Sequence, residues 1–195
     1  MSLSEKHKML TGQLYHAGCP ELQAEQIANK HWMHRYNNSV ELLNDARHGL
    51  LVEHFGQVGE GAVIRPPFYC DYGYNISVGR NTFMNFNCVI LDVVPVRIGE
   101  DCQIGPNVQI YTADHPRDPQ ARAEGLESAR PIRIGRNADH LVCRANQIGQ
   151  THIFCLGDFR LQFPGNPRQV ICPQVRAGLG RQCHCQDRNI IDPPP

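Results

Sequence analysis

Apolar residues recur at every sixth position through the middle of this 195-residue chain, and no other feature limits its fold as strongly. Val58, Ile64, Cys70 and Ile76 are spaced by six; a two-residue slip then leads to Val78, Met84 and Ile90, and a second slip to Ile98, Ile104 and Ile110. Neither a strand, with its period of two, nor an α-helix, with 3.6, produces this spacing. Val78, Ile98 and Ile104 are each followed by Gly and then by short or polar residues, as in Ile98-Gly99-Glu100-Asp101-Cys102-Gln103. Six residues hold one short strand and one tight turn, with the aliphatic residue pointing inward and Gly, Asn or Asp taking the backbone shapes of a corner. Stacked coil on coil, such units bury a column of Ile and Val that no single unit buries alone. The spacing predicts a mostly β chain, a parallel β-helix over residues 56–137, with the slips as places where a loop leaves a corner.

Residues 1–55 have a different texture. Met9, Leu10, Leu14, Ile27, Trp32, Leu42, Leu43, Leu50, Leu51 and Phe55 recur at helical spacing among charged and polar residues. Ser4 is placed to cap a first helix, Gly18-Cys19-Pro20 and Asn37-Asn38-Ser39 mark breaks, and Ser39 is placed to cap the next helix. Short helices here suit an N-terminal helical cap, because the end of a solenoid is an apolar face that needs covering. At the other end the six-residue period stops at Asn137, and five of the nine cysteines follow it. Residues 138–195 read as an atypical tail, such as a change of reading frame near codon 137 would produce; a divergent genuine tail is the alternative. Cys183-His184-Cys185 lacks a matching ligand pair, so no metal is expected.

Nineteen basic and nineteen acidic residues balance, which gives no sign of a nucleic-acid or anionic-membrane partner. No long apolar run suggests a membrane span or secretory leader, so the cytoplasm is the expected location. Cys19, Cys70, Cys88 and Cys102 occupy positions suited to small apolar residues, and buried thiols are expected there rather than disulfides.

Two stretches carry candidate chemistry. Phe68, Tyr69, Tyr72, Tyr74 and Phe83 surround Asp71; rings beside a carboxylate hold sugars by supplying apolar area and a hydroxyl acceptor, although the same rings also suit packing against a helical cap. His115 opens a polar, repeat-free excursion, residues 114–131, and loops on a rigid scaffold are where reacting groups are commonly presented. Imidazole has the unperturbed pKa suited to taking a hydroxyl proton near neutrality. Glu127, late in the excursion, is a candidate to orient that ring. A side-chain amide such as Asn85, or a backbone N–H, is a candidate donor to a developing oxyanion.

The chain resembles the hexapeptide-repeat acyltransferases, and within them the maltose and galactoside O-acetyltransferases, on Pro66-Pro67-Phe68-Tyr69-Cys70-Asp71-Tyr72-Gly73-Tyr74-Asn75-Ile76, on Asn85-Phe86-Asn87-Cys88-Val89-Ile90-Leu91-Asp92 and on Gly105-Pro106-Asn107-Val108-Gln109-Ile110-Tyr111-Thr112-Ala113-Asp114-His115-Pro116. Lys8-Met9-Leu10-Thr11-Gly12-Gln13-Leu14-Tyr15 is similar to that family's opening. The resemblance covers roughly residues 5–137 and implies a left-handed helix, an exception to the usual crossover hand. It implies acetyl transfer from acetyl-CoA to a sugar hydroxyl, with His115 as general base, Asp71, Tyr72, Asn85 and Asp92 around the acceptor, no metal, and a homotrimer with sites between subunits. The family's coenzyme A contacts fall in its later coils, beyond the matching region. Two other readings stay open: a catalytically silent binding or structural solenoid, and a zinc hydratase of the same fold, for which His115 alone is too few ligands.

Overall fold

The computed structural model describes residues 3–138 in full, together with the backbone of four short strands between residues 142 and 171. From Gln57 to Ile110 the chain winds through three parallel sheets in rotation. One face is formed by β2 (Gln57–Val58), β5 (Ile76–Val78), β8 (Val96–Ile98) and β13 (Ile132–Ile134); the second by β3 (Val63–Ile64), β6 (Phe83–Met84) and β9 (Gln103–Ile104). The third is formed by β4 (Phe68–Cys70), β7 (Cys88–Leu91) and β10 (Gln109–Tyr111). Each strand pairs with the one 20 residues further on, as in Val58↔Val78, Ile64↔Met84, Phe68↔Cys88 and Ile90↔Ile110.

That register explains the slips differently from the sequence expectation. Ile76 and Val78 are both buried, and so are Val96 and Ile98: each slip is a three-residue strand with two inward positions. It recurs once per coil because three hexads fall two residues short of a turn, and no loop leaves there. The one true departure follows β10. Val96 pairs with Ile132, 36 residues later instead of 20.

Corners depend on residues that tolerate the left-handed region. Asn81, Asn87, Asp101, Asn107 and Asn137 all have φ between 54° and 65°, where Asn and Asp are the least penalised of the residues with a Cβ. They stack: Asn81 Nδ2 donates to Asp101 Oδ1 at 3.1 Å, and Asn87 Nδ2 to Asn107 Oδ1 at 2.6 Å. Glycine after the inward aliphatic residue has a steric reason, since a Cβ on Gly79 would lie 2.5 Å from the Glu100 nitrogen.

The helices α1 (Glu5–Leu10), α2 (Pro20–Asn37) and α3 (Asn44–His54) precede the coils, with the short strand β1 (Tyr15–His16) between the first two. Ser4 caps α1, its Oγ accepting from His7 N at 3.1 Å. The buried face of α2 is Leu22, Asn29, Trp32 and Tyr36. Trp32, Tyr36, Leu51 and Phe55 join one apolar cluster with Ile64, Phe68 and the coil interior, and the Tyr36 hydroxyl donates to Ile64 O at 2.6 Å. Several residues expected on this face are exposed instead, among them Leu14, Ile27, Leu42 and Leu43. Leu42 and Leu43 precede α3, and Ile27 lies opposite the stripe centred on Asn29 and Trp32. Nor does Ser39 cap α3: Leu43 holds that position, and Ser39 Oγ donates back to Tyr36 O.

Cys70, Cys88 and Cys102 are buried free thiols and Cys19 is half-buried; burial pushes Cys88 up to about 11. No helix among the described residues is long and apolar enough to cross a membrane. Beyond Ala138, β14 (Val142–Asn146) pairs parallel with β10 at Gln109↔Arg144 and antiparallel with β15 (Gln150–Phe154). β16 (Arg160–Leu161) and β17 (Val170–Ile171) pair antiparallel. The reading of residues 138–195 as a frame-altered tail, and Cys183-His184-Cys185 with it, otherwise lies outside the described residues.

Ile104 is 1% exposed at the centre of its column, while its strand neighbour Gln103 faces outward. Ile104→Ala is expected to cost about 2–5 kcal/mol in denaturant unfolding, and Gln103→Ala less than about 0.5 kcal/mol. Equal small losses at both would contradict a packed column.

Candidate functional site

The strands β4, β7 and β10 all run into the same corner, from which the chain turns into β5, β8 and, after the excursion, β13. Asp71, Asp92 and His115 therefore gather there although they are 21 and 23 residues apart. Asp92 is fully buried. Its Oδ1 accepts from the backbone N–H groups of Asp71 at 3.0 Å and Tyr72 at 2.9 Å, and its Oδ2 from that of Gly73 at 2.8 Å. Three consecutive donors converging on one carboxylate fix the loop that carries Asp71. Asp92 thus stands behind the loop that carries Asp71, and its expected place lining an acceptor site is corrected accordingly: it is wholly buried and its oxygens are engaged by backbone. Burial pushes its carboxyl up to about 7, against the N–H donors and with repulsion from Asp71 adding to the rise. Burial also raises Asp71, to about 6, with the negative charge of Glu127 contributing.

The excursion is more ordered than a loop. It contains β11 (Ala113–Asp114), α4 (Pro119–Ala123) and β12 (Leu126–Ala129), and β12 lies between β11 and β1 in an antiparallel sheet. Asp118 caps α4 through Ala121 N, and Pro119 opens it. Tyr15 is paired with Glu127 on one side of β12; on the other, the pairing runs Ala113↔Ala129 and Asp114↔Ser128 and ends there, one residue before His115 and one after Glu127. Residues directly opposite across a sheet share a face. The hydrogen bond of Glu127 runs to Tyr15, whose hydroxyl donates to Oε2 at 2.7 Å; Tyr15 is 1% exposed, and burial, with the carboxylate beside it, drives its phenol far upward. His115 is exposed, with Asp114 Oδ1 accepting from its backbone N–H at 2.9 Å and Asp114 Oδ2 lying 3.7 Å from Arg117.

Asn85 lies elsewhere. It follows β6 at the corner between the second and third faces, where its amide oxygen accepts from Arg65 Nη1 at 3.2 Å and from the Phe86 N–H at 2.9 Å. One chain therefore brings Asp71, Asp92 and Glu127 together, with His115 on the segment that leaves the same corner, but not Asn85. The aromatic group also divides. Phe68 and Tyr72 are buried, Phe68 against Phe55 at 5.7 Å between centroids and Tyr72 among Met9, Tyr15 and Leu22, whereas Tyr69 and Tyr74 are exposed. For Tyr72 the expected contact with a sugar ring gives way to packing, and its hydroxyl accepts from Gln26 Nε2 at 3.3 Å.

Sequence reasoning missed Tyr15, which no spacing rule connects to Glu127, 112 residues away. It also missed Asn29, although a lone amide on the stripe of Leu22, Trp32 and Tyr36 was a readable signal. Among the described residues no group of three or more His, Cys, Asp or Glu side chains is arranged to hold a metal ion.

Residues 8–59 match the family model described as the maltose acetyltransferase hexapeptide capping motif. Nodulation protein L of Rhizobium meliloti (strain 1021) is 54% identical over 137 residues, covering 70% of this chain and 75% of its own. Among solved structures, a maltose O-acetyltransferase from Clostridium difficile 630 is 41% identical with a TM-score of 0.68, covering 71% of this chain and 74% of that one. A galactoside acetyltransferase in complex with coenzyme A is 34% identical with a TM-score of 0.66, covering 71% and 69%. Stacked coils of short parallel strands and the relatives they match define the class of hexapeptide-repeat acetyltransferases. Within that class the chain belongs to the maltose and galactoside O-acetyltransferase family.

A carboxyl held above its unfolded value of about 4 binds its proton more tightly in the folded chain. It stabilises the fold in acid, and that contribution is lost as pH rises through about 6 for Asp71. Asp71→Asn removes the effect, so the melting temperature of the variant relative to the parent is expected to rise between about pH 4 and about pH 7. A difference that stays constant in calorimetry across that range would mean that Asp71 titrates as an ordinary carboxylate.

Proposed function

We propose that this protein moves an acetyl group from acetyl-CoA to a hydroxyl of a sugar such as maltose or glucose. The observation that carries the reading is the nearness of two carboxylates, Asp71 and Glu127, at the one corner from which the segment bearing the exposed His115 departs, on a scaffold whose relatives include an acetyltransferase complexed with coenzyme A. His115 takes the proton of the acceptor hydroxyl as its oxygen attacks the thioester carbonyl carbon. The carbon–sulfur bond then breaks, the acetyl group stays on the acceptor, and the departing thiolate receives the proton from the imidazolium. Asp71 accepts from an acceptor hydroxyl. Glu127, held by Tyr15, is the candidate to orient the imidazole.

Asn85 joins this site from a second copy of the chain. Its place at a separate corner supports a homotrimer with sites between subunits, in which its amide nitrogen is presented to the acceptor or the developing oxyanion, the oxygen being engaged by Arg65 and Phe86. The left-handed winding, the capping role of the N-terminal helices and a cytoplasmic location belong to the same proposal.

One observation favours a second reading. After β13, the chain enters β14, which pairs with β10 and then antiparallel with β15, rather than another coil of three parallel strands, which suits a frame-altered segment over residues 138–195 and a solenoid without the later coils that hold the donor. On that reading the protein is a silent binding or structural solenoid. Calorimetric titration with acetyl-CoA separates the two: binding supports the transferase, and none supports the silent solenoid.

His115→Ala is expected to lower turnover roughly 10²–10⁴-fold while leaving the melting temperature unchanged. Undiminished turnover in steady-state kinetics would remove the general-base assignment.

A further inference from the structure

We infer that Asn29 and His54, on two different N-terminal helices, are positioning residues for the acceptor site: together they hold the carbonyl side of the loop that carries Asp71. The inference rests on the reading of Asp71 as an acceptor-binding carboxylate. Asn29 is 2% exposed, and its Nδ2 donates to Cys70 O at 2.6 Å and to Asp71 O at 2.8 Å. With the amide nitrogen committed to two carbonyls, its oxygen turns to His54, whose Nε2 lies 2.7 Å away and donates to it. This fixes the imidazole as the Nε2–H tautomer.

His54 is itself wedged in place. Its ring stacks on Trp32 at 4.1 Å and 14°, and its other flank meets Gly73, where a Cβ would come within 2.3 Å of His54 Cδ2. Gly73 has φ 83°, so both its backbone shape and its lack of a side chain are needed. Burial lowers the pKa of His54, in keeping with a neutral ring at this contact.

The main chain of Asp71 is therefore held from two sides by side chains that come from outside its own loop. Asp92, one coil on, takes the N–H groups of Asp71, Tyr72 and Gly73, and Asn29 takes the carbonyls of Cys70 and Asp71. A structural duty for Asn29 alone is poorly motivated, since α2 is already tied to the first coil by Tyr36 on Ile64 O and by Asn37, which both donates to Phe68 O and accepts from Phe68 N. What Asn29 adds is control over residues 70 and 71. An acceptor held by a displaced carboxylate loses its alignment with the reacting groups, and small displacements of that kind are costly.

The test uses three variants of the full chain. Asn29→Ala removes the donor, His54→Phe keeps the ring on Trp32 without the hydrogen bond, and His54→Gln returns an N–H donor in place of the imidazole. Carbon-detected NMR follows the titration of the Asp71 carboxyl, and calorimetry follows maltose binding, with Asp71→Asn as the control. In Asn29→Ala and His54→Phe, the Asp71 midpoint is expected to fall from about 6 toward the ordinary carboxylate value, and maltose affinity to drop on the order of ten- to a hundredfold. His54→Gln is expected to stay near the parent. An Asp71 midpoint unchanged in folded Asn29→Ala and His54→Phe overturns the inference. So do equal losses in His54→Phe and His54→Gln, which assign the effect to packing. Should Asp71→Asn bind maltose like the parent, the acceptor reading fails, while the NMR titration still decides whether Asn29 and His54 position Asp71.

Discussion

Each coil must close in 20 residues so that its N–H groups meet the carbonyls of the next, as Val58, Val78 and Ile98 do on one face and Ile64, Met84 and Ile104 on another. The rest of the structure depends on that closure. Strands of two or three residues cannot stand alone, so they persist only as rungs of ladders whose inward side chains fill one continuous interior. The corners must then turn sharply at the same height in every coil. Asn and Asp at positive φ, stacked and hydrogen-bonded to one another, meet that need at little steric cost.

Closure is suspended at one corner. The coil from Val96 to Ile132 takes 36 residues instead of 20, and the segment added after β10 forms an antiparallel sheet with a strand from the N-terminal region. The interruption costs the solenoid little, because β13 resumes the ladder on β8 with Ile132, Arg133 and Ile134 in register. It sets Glu127 on a strand near Asp71 and leaves His115 directly after the neighbouring strand β11. The two regions of the chain with different periodicity, helical and hexapeptide, thus meet at one site through Tyr15, Asn29 and His54.

Two carboxylates at this corner show how position alone divides roles. Asp71 and Asp92 are one coil apart and both are raised by burial, yet only Asp92 is wholly enclosed, its oxygens absorbed by three backbone donors. Asp71 keeps part of its surface and is the one in a position to meet a ligand. A sequence contains both as aspartates in aromatic or aliphatic surroundings, with no mark of which is structural.

By itself the sequence determined the solenoid. A six-residue recurrence of Ile, Val, Cys and Met has one efficient packing solution, and Gly, Asn and Asp after each inward residue supply its corners. It also marked His115 and the excursion, because a break in a strict period is visible without coordinates. Tertiary structure alone decided which contacts cross between periods. The meaning of the two-residue slips followed only from a coil length of 20. The burial of Tyr72 and Asp92, the pairing of Tyr15 with Glu127, the grip of Asn29 and His54 on the Asp71 loop, and the separation of Asn85 from that corner all depend on how helices meet coils. That meeting is set by the shapes of two surfaces, and shape at long range leaves no spacing in the chain to read.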